Sequence, residues 1–561
     1  MRKKILPVVA ALILIVIVAI IGIISKVVEK YTPSDETVTA KEYFGIQGAN
    51  EVGLILQDQV SERKGLRADG VLYLDYEVVK EYLNSRFYWD EKEQVMVYTT
   101  PTDIIKIPAG QNGYSVSGKE NTTEYPVVRD EETGTYVAAD FVQQYTNVEY
   151  TTLEEPDRVL ITYQWGDVTY ADIKKQDFVR LEGSIKSPII TAGNRGERVA
   201  VLGEQDGWSK VRTEGGFIGY IPTKKLGESY QETISREFEE PVYTSIKQDS
   251  RVNLVWHQIT NMDSNYNLVY DIANMTGVNT ISPTWFSISS NEGDITSLAY
   301  EGYVTEAHNK ELKVWGLVDN FSTEIDSATV LNSTSARENL TNQLIAAAIQ
   351  YKLDGINVDF EALTEDAAEG YVQFMRELSV KCRNNSLVLS VDVPVPMPYT
   401  EFYNRKELGI VSDYVIMMGY DEHYVGSGEG SVASLPFEEQ GIQDMLKDVP
   451  AEKVISGIPF YTRLWKIDSK GEVSSEAIGM DTADEYMTAN NVTTNWSEET
   501  SQDYGEYQDS EGNTYKIWLE NEASIAEKVK LVKEYSLAGV ASWKLGFERA
   551  SIWEVITKNM E

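Results

Sequence analysis

The 561 residues are too many for one hydrophobic core, and 42% apolar with 25% charged is the composition of folded globular domains. Fifty basic against 88 acidic side chains leave a formal charge of −38, which excludes a phosphate-backbone binder and makes anionic membranes or wall polymers awkward partners. The single Cys382 forbids an intrachain disulfide, and His257, His308 and His423 have no metal-ligand spacing, so neither a metal nor another cofactor is implied.

The chain opens with Met1-Arg2-Lys3-Lys4 and an apolar run of 20 residues, Ile5 to Ile24. That length crosses a ~30 Å hydrocarbon core as a helix. The basic tip is expected to stay cytoplasmic, which places the rest of the chain on the other side of the membrane. A cleavable signal is the competing reading, but it has a shorter apolar core and a small-residue cleavage site, and Gly22-Ile23-Ile24-Ser25-Lys26 has no such site. Residues 1–30 are therefore expected to form an uncleaved single-pass anchor. The polar residues 31–41 are expected to form a stalk.

Residues 42–164 hold a weak internal repeat. Gly70-Val71-Leu72-Tyr73-Leu74 and then Val78 to Asn84 are echoed by Gly134-Thr135-Tyr136-Val137-Ala138 and Phe141 to Asn147. Each copy reads as strand, short helix, strand. This small α+β pattern resembles the N-terminal domain of copper amine oxidases, without implying copper, since the stretch has no histidine. Residues 167–227 change to short strands joined by glycine turns, the signature of a small β-barrel. Gly207-Trp208, Val211-Arg212 and Gly219-Tyr220-Ile221 resemble the bacterial Src-homology-3-like domain. That resemblance implies peptidoglycan as a partner; a folded spacer with Trp208 and Tyr220 in its core is the alternative. The acidic stretch 228–250, with Pro241, is expected to be a linker.

From Arg251 onward, eight short apolar runs alternate with helical stretches such as Ser335 to Tyr351 and Ala523 to Tyr535. This number of strand–helix units predicts an α/β fold, a (β/α)8 TIM barrel spanning 251–561. Lys466 to Trp518, between the last two runs, is expected to be a small α+β insertion. Barrels of this kind carry their sites at the C-terminal strand ends. The fourth run reads Gly355-Ile356-Asn357-Val358-Asp359-Phe360-Glu361. On an extended strand Asn357, Asp359 and Glu361 share one face. By spacing alone the acids could line a wet strand face or a site; their place at the fourth strand end favours the site.

Asp354 to Glu361 resembles the D-G-x-D-x-D-x-E signature of glycoside hydrolase family 18, the chitinases and related N-acetylglucosaminidases. Met417-Met418-Gly419-Tyr420-Asp421, Gly457 to Arg463 and Ala541-Ser542-Trp543 resemble the family's sixth, seventh and eighth strands. Asn357 departs from the pattern, where most members have Asp. With Tyr420-Asp421-Glu422-His423 and Ser431 to Pro436, it resembles the spore and wall branch, whose members act on peptidoglycan N-acetylglucosamine.

The resemblance implies retaining, substrate-assisted hydrolysis, in which the sugar's own acetamido oxygen is the nucleophile. It implies Glu361 as proton donor and later base, and an ionised Asp359 that orients the acetamido N–H. Tyr420 would donate to the acetamido oxygen and Trp543 would form the floor. Asp421 and Arg463 would shape the pocket, with Arg463 equally able to form a structural ion pair. Asp392 joins them on its strand-end position. With Asn357 in place of an acid, Asp359 is expected to hold its charge, pushing Glu361 toward the protonated form. Trp256 and Trp285 could stack on sugars or fill the core; Trp315 is expected in the core, and the lone His423 in a structural role. A glycan-binding lectin on the same barrel, an enzyme for external chitin, and a wall-attachment scaffold are the rivals.

Overall fold

The computed structural model describes residues 2–560, with side chains from residue 7 to 560. Two compact units separate, one of residues 1–87, 107–114 and 120–240, the other of residues 88–106, 115–119 and 241–561.

In the first unit the helix Arg2–Tyr31 contains an apolar span, Pro7–Tyr31, long enough to cross a membrane by length and composition. Two seven-stranded sheets follow. In the first, Glu51–Leu56 pairs in parallel with Arg158–Thr162 and antiparallel with Gln59–Ala68. The second is the small barrel, closed over Ile173, Val179, Val199, Val211 and Ile221. Gly219 belongs there because a side chain would collide with the Arg180 carbonyl at 2.4 Å. Trp208 and Tyr220 are only half-buried and stand outside that core.

Two connecting segments differ from expectation. Within the supposed linker, Tyr230–Ile234 forms an edge strand against Gly166–Asp172, whose unpaired backbone groups would otherwise need another partner. Within the supposed stalk, Thr37 bridges to Ile189, and the Ser34 carbonyl accepts from Arg180 Nη1 at 3.0 Å. Composition marked both segments as polar; backbone hydrogen bonding, which composition does not report, ties them down.

The second unit is the barrel. Its strands are β1 (Val252–His257), β2 (Thr280–Ile288), β3 (Lys313–Asp319), β4 (Gly355–Asp359), β5 (Val388–Pro394), β6 (Tyr414–Met418), β7 (Val454–Pro459) and β8 (Gly539–Trp543). All pair in parallel with their neighbours, and β1 pairs with both β8 and β2, so the sheet is closed. Trp315 is fully buried inside it, stacked on Tyr414 at 5.5 Å. The helix Thr334–Tyr351 leads into β4 through Lys352, whose left-handed φ of 58° ends the helix. Asp90 and Glu93 accept the backbone N–H groups of Thr334 and Ser335 at 2.8 and 2.9 Å, placing carboxylates on the positive end of that helix. Between β7 and β8 a five-stranded sheet forms, and its first strand, Tyr461–Ile467, starts ahead of residue 466. It carries the helix Met480–Ala489 and the hairpin of Gln502–Gln508 with Thr514–Leu519.

Candidate active site

β4 is built to deliver its end to the barrel mouth. Gly355 is required at its start, since a Cβ there would lie 2.7 Å from the Val388 carbonyl and 2.8 Å from Trp315. Asp354, just before it, accepts from the Val314 amide at 2.9 Å and pairs with Lys313 at 3.1 Å. The first acid of the motif thus fastens the bottom of the barrel. At the top, Phe360 stacks on Phe374 at 5.3 Å, and Tyr403 donates to the Phe360 carbonyl at 3.0 Å. The strand ends at Asp359, so of the three polar residues only Asn357 and Asp359 share its inner face; Glu361 stands two residues beyond, exposed to the cleft.

The cleft has a volume of about 460 Å³. Five carboxylates line it, Asp319, Asp359, Glu361, Asp392 and Asp421, and among the described residues lining it there is no lysine, arginine or histidine. Three of the acids form a row. Asp319 of β3 is in register with Asp359 of β4, and Val358 with Val391, which brings Asp392 of β5 level with Asp359.

Asn357 sits beneath this row, fully buried. Its Oδ1 accepts from Trp256 Nε1 at 3.0 Å and Ser282 Oγ at 3.1 Å. An indole nitrogen can only donate, which fixes the orientation of the amide. Its Nδ2 therefore donates to Asp392 Oδ1, at 2.8 Å. Asp359 is 6% exposed, and its Oδ1 is buried with no hydrogen-bond partner.

The environment favours protons on these acids. Burial, then Asp392, Glu361 and Asp319, pushes Asp359 well above the usual carboxylate range. Burial likewise raises Asp392, against the Asn357 hydrogen bond. Glu361 is raised by the protein packed around its carboxyl, then by Asp421 and Asp319, although the residue opens to the cleft. Glu361 moves in the expected direction but not for the expected reason: burial, Asp421 and Asp319 raise it, not an ionised Asp359. The expectation of a steadily ionised Asp359 is not met: replacing one neighbouring acid by Asn357 left another, Asp392, supplied by the next strand.

The remaining candidates divide. Tyr420 lines the cleft, edge-on to Tyr461 at 6.2 Å. Asp421, with a left-handed φ of 60°, accepts from Tyr461 Oη at 2.6 Å. Trp543 lines it too, half-buried and edge-on to Trp256 at 6.0 Å. Trp256 and Trp285 are both buried and both border the cleft. Arg463 is not brought to the cleft lining; its Nη1 donates to Ser475 Oγ at 3.2 Å, across the sheet after β7. His423 pairs with the Ser431 carbonyl at 2.9 Å, a structural contact. Asp319 and Tyr461 were missed. Asp319 follows the third apolar run directly, so its strand-end position was a readable signal; Tyr461 had none beyond lying in the seventh-strand segment.

A closed parallel barrel with carboxylates gathered at its strand ends defines the class. The profile of glycosyl hydrolases family 18 matches residues 250–548, and the chain belongs to that family; it is a glycosidase. A bacterial SH3 domain matches residues 176–226, and a copper amine oxidase N-terminal domain matches 57–161. The Bacillus subtilis glycosylase YvbX is 29% identical over half of this chain and 85% of its own length. The cortical fragment-lytic enzyme of Bacillus subtilis is 26% identical over 45% of this chain and 61% of its own. The fold is shared with the Bacillus cereus spore cortex-lytic enzyme SleL, with a TM-score of 0.51 and 20% identity over 56% of this chain and 75% of that one. It is shared equally with a chitinase from Chromobacterium violaceum, with a TM-score of 0.50 and 22% identity over 55% and 99%.

Proposed function

We propose that this glycosidase cleaves N-acetylglucosamine-containing glycan outside the cell, with the cell's own peptidoglycan as its substrate, while the helix Pro7–Tyr31 holds it to the membrane. The observation that carries the proposal is one carboxyl, Glu361, open to a cation-free cleft and held toward its protonated form, next to the buried Asp359. Glu361 protonates the leaving glycosidic oxygen, and that bond breaks as the sugar's acetamido oxygen bonds to the anomeric carbon. The same carboxylate then takes a proton from the water that opens the resulting cyclic cation. Asp359 faces the acetamido N–H and carries the negative charge that balances this cation. Tyr420 donates to the acetamido oxygen, and Asp421 and Tyr461 hold the neighbouring wall. Trp543 lies under the reacting ring. The fragment-lytic name of a relative supports a cortex-type wall glycan as substrate, and the bacterial SH3 match supports a wall contact away from the cleft.

The test incubates the full chain in detergent with purified peptidoglycan and, separately, with chitin oligosaccharides, and reads the products by mass. New reducing ends at N-acetylglucosamine, lost in Glu361→Gln, are expected. Saturable binding without cleavage would turn the reading to a lectin. Recovery of the protein in the soluble fraction of cells would overturn the anchor.

A further inference from the structure

We infer that Asp392, one strand over from the signature motif, is the acid that shares a proton with Asp359, taking the place that Asn357 leaves vacant. The inference rests on the glycosidase mechanism proposed above and adds a positioning residue to it. Four observations converge. Asp392 and Asp359 stand level on adjacent strands, both facing the cleft. Asp392 is 1% exposed, and among the described residues lining the cleft around it there is no lysine, arginine or histidine. Asn357 has its amide orientation fixed by the donor-only Trp256, and it presents N–H to Asp392 rather than a lone pair to Asp359. Asp359 Oδ1 is left buried and unpartnered on the inner wall, a group that must find a donor or take a proton.

The charges around the pair leave few alternatives. Asp319 and Glu361 face it from β3 and from the end of β4, and Asp421 from beyond β6, all acidic. Tyr420, Tyr371 and Tyr403 flank it and are neutral, their ionisation suppressed first by burial. Arg405, beside Tyr403 and Tyr371, directs its Nη atoms to the Thr400 carbonyl and hydroxyl and to the Pro394 carbonyl. Like charges this close do not ionise together, so one proton is retained between Asp392 and Asp359. Asn357 and the Trp256 indole both favour Asp392 as an acceptor, so in the resting site the shared proton leans toward Asp359, which has no such donor on its Oδ1. When positive charge forms on the sugar, the proton rests on Asp392 and Asp359 faces the cation ionised. Among the described residues no group of three or more His, Cys, Asp or Glu is arranged to hold an ion.

The experiment exchanges the two positions. Full-length wild type, Asp392→Asn, Asn357→Asp and the double exchange are assayed on a fluorogenic di-N-acetylchitobioside across pH. Asp392→Asn is expected to lower kcat roughly 10- to 100-fold with KM nearly unchanged. Losing a like charge lets Asp359 and Glu361 ionise more easily, so both limbs of its pH profile move down, by about one pH unit. Asn357→Asp adds a like charge and moves both limbs up. The double exchange, Asn357→Asp with Asp392→Asn, is expected to recover most of kcat and the wild-type profile. A double exchange that folds and melts as wild type but is no better than Asp392→Asn would overturn the inference, as would an unmoved profile in the single variant. Carboxyl carbon NMR titration of Glu361→Gln, with and without Asp392→Asn, reads the shared proton without turnover. If the wild type cleaves nothing, the proposed function has failed. If it cleaves and the titration of Asp359 ignores Asp392, only this inference has failed.

Discussion

Lys528→Met offers a severe test of how the loop carrying Tyr420 and Asp421 is held. Lys528 lies on the helix Glu522–Glu534 with no exposed side-chain surface. Its ammonium is 2.7 Å from Glu520 Oε1 and 3.2 Å from Glu438 Oε1, both carboxyls buried, and it bonds the Ala433 carbonyl. That carbonyl belongs to the loop after Asp421, where Glu422 also accepts from the Ser434 amide at 2.7 Å. Removing one partner of a buried ion pair costs about 3–5 kcal/mol, because the other charge is left uncompensated. Here the lower end applies. Burial raises Glu438 to about 8, so it is already neutral at pH 7, and Glu520 keeps its donors Gln502 at 2.6 Å and Ser524 at 2.8 Å. A loss of about 3 kcal/mol is expected from denaturant unfolding of the barrel at pH 7. The native protein holds the Glu438 proton up to about 8, whereas the unfolded chain releases it near 4.5. That group's contribution is therefore complete below the unfolded value and is lost as pH rises through about 8. In the variant Glu520 also protonates readily, so the cost of Lys528→Met should shrink at pH 5. A loss below about 1 kcal/mol at pH 7, or a cost that grows on acidification, would refute this account.

The eight strands were legible because each is a short apolar run bounded by turns, and because a parallel barrel buries both faces of every strand. The strand-end rule then located Asp359, Asp392 and the neighbourhood of Glu361. What stayed hidden was lateral. That Asn357 donates to Asp392, 35 residues later, depends on the register of β4 and β5, which no local pattern encodes. Asp319 was passed over for the same reason: its meaning lies in being level with Asp359 across β3 and β4. Arg463 was drawn toward the cleft by its place in the seventh-strand segment, but it lies on the following sheet, where it meets Ser475. Tyr230–Ile234 read as linker because edge strands can be polar on both faces, and only its pairing with Gly166–Asp172 makes it a strand.

Asp319→Asn should lower the pH at which kcat falls on the alkaline side, since Asp319 is one of the like charges holding Glu361 up; an unmoved limb would exclude that coupling. Trp256→Phe removes a buried donor 3.0 Å from Asn357 and part of a ring. About 1 kcal/mol for the hydrogen bond and 1–2 for the lost packing should appear in unfolding experiments. Cys382, fully buried with its thiol held protonated by burial, should resist thiol reagents in the native protein and react once per chain after denaturation. Substrate charge gives the broadest test of the cleft. Under the proposed mechanism the five carboxylates, with no lysine, arginine or histidine among the described residues lining the cleft, would stabilise a cationic sugar intermediate, and those of them that are ionised repel any anion brought beside them. The chain's charge of −38 adds to that repulsion at longer range. A neutral chitin oligosaccharide feels neither effect, whereas peptidoglycan carrying free stem-peptide carboxylates feels both. Exposed charges are screened over ~10 Å at 0.1 M salt, while the buried row is screened much less. Raising salt from about 20 to 200 mM should therefore increase kcat/KM on peptidoglycan several-fold and leave the neutral oligosaccharide nearly unchanged. Equal responses would show that substrate approach is not governed by this field, and a fall on peptidoglycan alone would show that a cationic surface elsewhere on the chain captures it.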